Sequence, residues 1–143
     1  MKTLALCMAI AAVSAAQSGD TSITGSWAAQ FEGRTFLRLQ LESVDGSITG
    51  GMSVGNIEVD KQGALRHVGE SPHDLTPIFD VTQHGSAVTF SRKDTPDSAP
   101  DRFELRLLDT GRAEIQFLLN DADRKELAAS GIPDPKPIAL TKQ

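Results

Sequence analysis

Residues 36–54, FLRLQLESVDGSITGGMSV, constrain the fold of this chain more than any other stretch. Asp45-Gly46 has the composition of a two-residue hairpin turn, because both central positions of such a turn must accept a positive φ. Setting Val44 opposite Ser47 puts Leu41 against Gly50, Leu39 against Met52 and Leu37 against Val54. Arg38, Gln40 and Glu42 then share the other face with Ser53, Gly51 and Thr49. A slip of one residue would turn every leucine toward water, so burial itself specifies this register.

Two more segments read the same way. In PIFDVTQHGSAVTFSRK, a Gly85-Ser86 loop sets Gln83 opposite Val88 and Val81 opposite Phe90. In DRFELRLLDTGRAEIQFLL, a three-residue loop at Asp109-Thr110-Gly111, with Gly111 expected in the left-handed conformation, sets Phe103 against Phe117, Leu105 against Ile115 and Leu107 against Ala113. Arg106 lands opposite Glu114, a cross-strand charge pair worth about 0.2–1 kcal/mol. Further strands are expected at roughly 23–31, 57–67 and 136–141, and one short helix at 121–130. Asn120 or Asp121 caps its start, Gly131 ends it and Pro133 prevents resumption. The Ser, Pro and Asp-rich stretch 93–101 is expected to be a loop. Short alternating strands joined by tight turns predict an all-β, antiparallel meander β-barrel of about eight strands, closed so that no edge is exposed. A flattened sandwich would satisfy the same alternation.

The first sixteen residues have Lys2, the apolar run Leu4–Val13 and then Ser14-Ala15-Ala16, the pattern of a secretory signal peptide. That run falls short of the roughly 20 apolar residues needed to cross a bilayer. The expectation is therefore a secreted or periplasmic protein with one domain at 17–143 and no membrane span in the mature chain. Cys7, the single cysteine, would leave with the leader, so the mature chain would carry no disulfide and depend on its core. The formal net charge of −5 and the lack of a basic stripe with interleaved aromatics argue against nucleic-acid binding. No cofactor motif is present, and oligomeric state is not encoded in any recognisable pattern.

Several short patterns invite a chemical reading. GMSVG at 51–55 fits the G-x-S-x-G form of a hydrolase nucleophile elbow, which requires a strand, a strained turn and a helix. Here the pairing places Ser53 inside a strand, opposite Arg38. His67, His73 and His84, with Asp74 and Asp80, contain zinc-ligand chemistry but no spacing that brings it together. Glu42, Glu104 and Glu114 fall on outward positions, where solvation accounts for them.

Trp27 is the only tryptophan, and the chain has no tyrosine. ITGSWAAQ at 23–30, followed by TF at 35–36 and DGSITG at 45–50, resembles the opening strands of the calycin barrels, and most closely the avidin and streptavidin family. The resemblance covers about residues 23–52. It implies a barrel with Trp27 plugging the floor. It does not extend to biotin, because Ala29 stands where that family commonly has a ureido-contacting asparagine, and Met52 where it has a tyrosine. Each lost hydrogen bond to a buried urea would cost roughly 1–3 kcal/mol.

Together these readings predict a secreted, non-catalytic β-barrel binding module for an apolar small molecule or a protein partner, with Trp27 and Met52 as its inward ligand contacts. For a protein partner the contacts are residues 94–101, the helix and the proline-rich tail. Two alternatives stay open: a protease-inhibitor-like barrel acting through its N-terminal segment, and a small hydrolase or metal-dependent enzyme using the His67–His84 segment. The inward set, rich in Leu, Val and Phe, favours a filled barrel, with Gly50 and Ala113 as places where a hollow could form.

Overall fold

The register around Asp45-Gly46 is the one the chain adopts. In a computed structural model, which describes residues 22–143, the strands are β1 (Gly25–Phe31), β2 (Arg34–Val44), β3 (Ser47–Val54), β4 (Ile57–Val59), β5 (Leu65–Val68), β6 (Thr76–Pro77), β7 (Phe79–His84), β8 (Ala87–Arg92), β9 (Asp101–Leu107), β10 (Arg112–Leu118) and β11 (Ile138–Lys142), with helix α1 (Asp121–Ala129) between the last two. Leu37, Leu39 and Leu41 face Val54, Met52 and Gly50. Asp45 and Gly46 take φ values of 51° and 80°. The leader assigned to residues 1–16 lies outside the described residues.

Nine antiparallel strands form one sheet in the order β6-β3-β2-β1-β11-β10-β9-β8-β7. The sheet is nearly closed and barrel-shaped. Its two outer members, β6 and β7, are separated by Ile78 alone, so the chain itself bridges the seam. Ile78 N donates to Gly50 O at 3.1 Å at that crossing. Because β6 and β7 act as one kinked stave, the nine strands make eight staves, each beside its neighbour in the chain. The bend accounts for one departure from expectation. Gln83 does oppose Val88, but Phe79 opposes Ser91 and the register shifts between Phe79 and Thr82, so Val81 and Phe90 are not partners. Asp80, at φ 50°, occupies this irregularity. A bulge re-aims a strand that must leave β3 and join β8.

The β9–β10 register is as expected, with Phe103 on Phe117, Leu105 on Ile115 and Leu107 on Ala113. Two details differ. Gly111 is absent from the positive-φ glycines. Instead the Asp109 carboxylate accepts from Gly111 N at 3.0 Å and from Arg112 Nε at 2.6 Å, closing the turn through a side chain. Arg106 and Glu114 are backbone partners, yet Arg106 bonds Glu104 of its own strand at 2.9 Å. The expected strand at 57–67 is also corrected. It is two short strands, β4 and β5, forming a separate hairpin outside the barrel sheet. Asp60 starts its turn, accepting from Gln62 N at 2.8 Å and Ala64 N at 3.0 Å. Helix α1 follows expectation, with Asn120 Oδ1 accepting from Asp123 N at 2.7 Å and Gly131 at φ 72° beyond its end. No described helix is long and apolar enough to cross a membrane.

Inside, Trp27, Leu37, Leu39, Leu41, Met52, Val88, Phe90, Phe103, Leu105 and Ile115 are all at most 2 % exposed. A water-sized hollow would leave accessible surface on its walls, so these side chains fill the barrel. Neither place suggested for a hollow provides one. Ala113 is fully buried, and a Cβ at Gly50 would collide with the Gln40 carbonyl oxygen. Trp27 Nε1 donates to Ile23 O at 2.8 Å, which anchors the N-terminal segment across one end. Phe36 and Leu37 are consecutive yet both fully buried, because a register shift opposite Ala29 and Gln30 leaves Phe36 without a partner in β1.

Candidate functional site

An up-and-down barrel sorts its connections by end. The tight turns at 45–46, 85–86 and 109–111 lie at the end covered by Ile23. The long connections, 55–75, 93–100 and 119–137, lie at the other. There the β4–β5 hairpin, α1 and the segment Pro133–Pro137 surround an apolar cleft of about 600 Å3. That volume lies within the roughly 300–1,000 Å3 range of ligand pockets.

Each wall has a local cause. The ends of β1 and β10 supply Phe31 and Phe117, which run out of barrel interior at the mouth and remain half-buried. The Asp60 turn folds β4 onto β5 and presents Ile57 and Leu65. Leu119 follows β10, and the Asn120 cap starts α1 so that Leu127, its only half-buried residue, lines the cleft. The proline-rich segment rests on the hairpin turn: a Cβ on Gly63 would lie 3.3 Å from Pro133 Cγ. Polar groups are few. Gln30 Nε2 is engaged with Thr35 Oγ1 at 3.2 Å, and Lys136 stands exposed at the rim. Half-buried phenyl and aliphatic walls gain free energy when an apolar molecule takes their remaining surface from water.

The residues expected to contact ligand occupy a different place. Trp27 is 1 % exposed and Met52 is fully buried, both among the interior side chains, and neither lines the cleft. Ser53 pairs with Arg38, as expected, and its Oγ donates to Pro72 O at 2.7 Å. It is 1 % exposed because residues 71–75 run against β3. His67 is on β5 at the open end, His84 at the far end of β7 and His73 between β5 and β6, all exposed. Among the described residues no three His, Cys, Asp or Glu side chains converge as a metal-binding group.

No family model, no curated protein and no solved structure matches the chain. The geometry of the cleft is therefore what a functional reading must rest on. Sequence reasoning missed most of its walls. Ile57 and Leu65 were placed in a barrel strand, and Leu127 in a helix without an assigned face. The one available signal was Phe36, an apolar residue on the polar parity of β2.

At the same end the barrel contains a buried charge. Arg92 is 8 % exposed. Its Nε donates to Met52 O at 3.2 Å, and it pairs with Asp94 at 2.8 Å. Asp101, the backbone partner of Arg92, has its carboxyl pushed above the ordinary carboxylate range, chiefly by burial and then by the Asp94 charge, with Arg92 opposing. The folded state therefore holds this proton more tightly than the unfolded chain. Stability falls as pH rises from the ordinary value through the raised one, and the penalty is complete at neutral pH. Asp101→Asn is expected to raise the midpoint of urea unfolding at pH 7 while leaving it unchanged well below pH 3.8, where the carboxyl is protonated in both folded and unfolded chains. A variant no more stable than the parent at pH 7 would contradict this.

Proposed function

We propose that this chain is a secreted, non-catalytic β-barrel binding module whose ligand is an apolar small molecule held in the cleft at the open end of the barrel. The observation that carries the reading is the cleft itself: about 600 Å3, walled by Phe31, Ile57, Leu65, Phe117, Leu119 and Leu127. Its concavity favours a small molecule over a flat protein face, since ligand pockets bury most of their occupant's surface. The filled interior supports a ligand seated at the mouth and not along the barrel axis. The leader-like residues 1–16 support export to the periplasm or the exterior.

The test uses the neutral fluorophore N-phenyl-1-naphthylamine. The protein should enhance its emission saturably, and an apolar ligand carried from the host should displace it. Leu127→Glu is expected to weaken that binding about tenfold by placing a charge in the wall. The variant should fold normally, because α1 buries no residue. Absence of saturable enhancement, or equal affinity in the variant, would overturn the assignment.

A further inference from the structure

Among the described residues that line the apolar cleft, Lys136 is the single ionisable one, and no Asp or Glu contributes to the walls. Acidic groups close to the cleft in the chain are turned elsewhere. Asp134 lines a neighbouring hollow, which it shares with Arg124 and which borders the cleft across Leu119 and Pro135. The Asp60 carboxylate is occupied by the turn amides Gln62 N and Ala64 N, at 2.8 Å and 3.0 Å. Glu58 follows Ile57 on β4, so strand alternation sends it to the face away from the cleft. Lys136 itself enters none of the ion pairs among the described residues. Backbone stiffness holds it in place, since Pro135 and Pro137 flank it and a residue before proline is confined to extended conformations. The segment is also pinned at both ends, by Pro133 against the Gly63 turn and by Ile138, the backbone partner of Ile115.

A lysine stem covers apolar surface while its ammonium stays in water. The ammonium offers three donors and no acceptor. Gln30 is the other polar side chain of the lining, and its Nε2 is already engaged with Thr35 Oγ1 at 3.2 Å. An occupant of this cleft therefore has an apolar body, and any polar end it carries gains most at the rim, beside Lys136, as an anion. One ammonium balances one negative charge. A phosphate monoester would bring close to two at neutral pH, on a protein of net charge −5, so a carboxylate is the better match.

We infer that the cleft takes an apolar carboxylic acid as its anion, with the carboxylate paired to Lys136 at the rim and the hydrocarbon against the Phe31, Leu65 and Phe117 walls. This rests on the apolar-ligand reading of the same cleft, and the experiment separates the two. Decanoate, 1-decanol and decylammonium, each below its aggregation concentration, compete with N-phenyl-1-naphthylamine at pH 7 for the parent, Lys136→Gln and Lys136→Glu. The position is exposed, so both variants should fold like the parent. Lys136→Gln should weaken decanoate by about threefold to fivefold, the range open to a solvent-exposed ion pair, and leave decanol unchanged. High salt should shrink the decanoate effect by screening that pair. Lys136→Glu should weaken decanoate further and tighten decylammonium. Unchanged decanoate affinity in Lys136→Gln, or an equal loss of decanoate and decanol, overturns the carboxylate inference, while displacement of the fluorophore by decanol still upholds the apolar cleft. Failure of all three compounds to displace it from the parent removes the apolar-ligand reading and this inference with it.

Discussion

Phe103→Ala is expected to cost about 3–5 kcal/mol, a large part of the 5–15 kcal/mol that holds a typical domain folded. Phe103 is 1 % exposed and lies at the middle of an aromatic row, 5.5 Å from the Phe90 ring and 4.7 Å from that of Phe117. Both are its backbone partners, so the row follows directly from the registers of β8, β9 and β10. Truncation removes transfer free energy and leaves a void that rigid staves cannot close. It also removes two ring pairs worth about 0.5–1.5 kcal/mol each beyond their area. Phe103→Leu should lose less than half as much. Urea unfolding at pH 7 measures both variants. A loss below about 1 kcal/mol for alanine would mean that the interior relaxes around the site, against the filled barrel described above. Because Phe117 continues the row into the cleft wall, the alanine variant should also weaken fluorophore binding.

Gly55→Ala should have a comparable effect for a different reason. A Cβ there would meet the Gly69 carbonyl oxygen, with the Gly69 carbon at 2.7 Å and Glu70 O at 2.8 Å. All three are backbone atoms, which cannot rotate away. Gly55 N donates to Phe36 O at 2.8 Å and Gly69 N to Asn56 O at 2.7 Å, so this close approach fixes the β4–β5 hairpin to the barrel. Relieving the collision must displace the hairpin, at a cost of about 2–3 kcal/mol, and Ile57 and Leu65 move with it. Faster hydrogen exchange over 57–68 and weaker fluorophore binding are expected together. Gly111→Ala is the control: nothing lies within 4 Å of a Cβ at Gly111, and its stability should change by less than about 0.5 kcal/mol. Equal behaviour of the two variants would show that the Gly55 contact is not holding the hairpin.

The parts that could be read in advance were those where two partners lie close in the chain. Leu39 on Met52 and Phe103 on Phe117 follow from a turn of known length and a period of two. The same logic failed one level up, where side chains choose among neighbours. Arg106 took Glu104 over Glu114, and Asp109 closed its turn with a carboxylate in place of a left-handed glycine. Period-two reasoning also misjudged 57–67. The single strand expected there is a hairpin outside the barrel sheet, and its Ile57 and Leu65 line the cleft.

Alternation of apolar and polar residues about glycine-containing turns determined, without coordinates, that this protein is an antiparallel all-β fold and which way β2, β3, β9 and β10 face, while a barrel and a flattened sandwich satisfied it equally. Those are consequences of local geometry, and local geometry is written in adjacent residues. Tertiary structure alone decided that the sheet curls into a nearly closed barrel, that its seam closes through Ile78, and that Phe31, Ile57, Leu65, Phe117 and Leu127 gather at one mouth. Such convergence depends on how loops of 55–75 and 119–137 cross in space, and no periodicity in the chain records where two distant loops will meet.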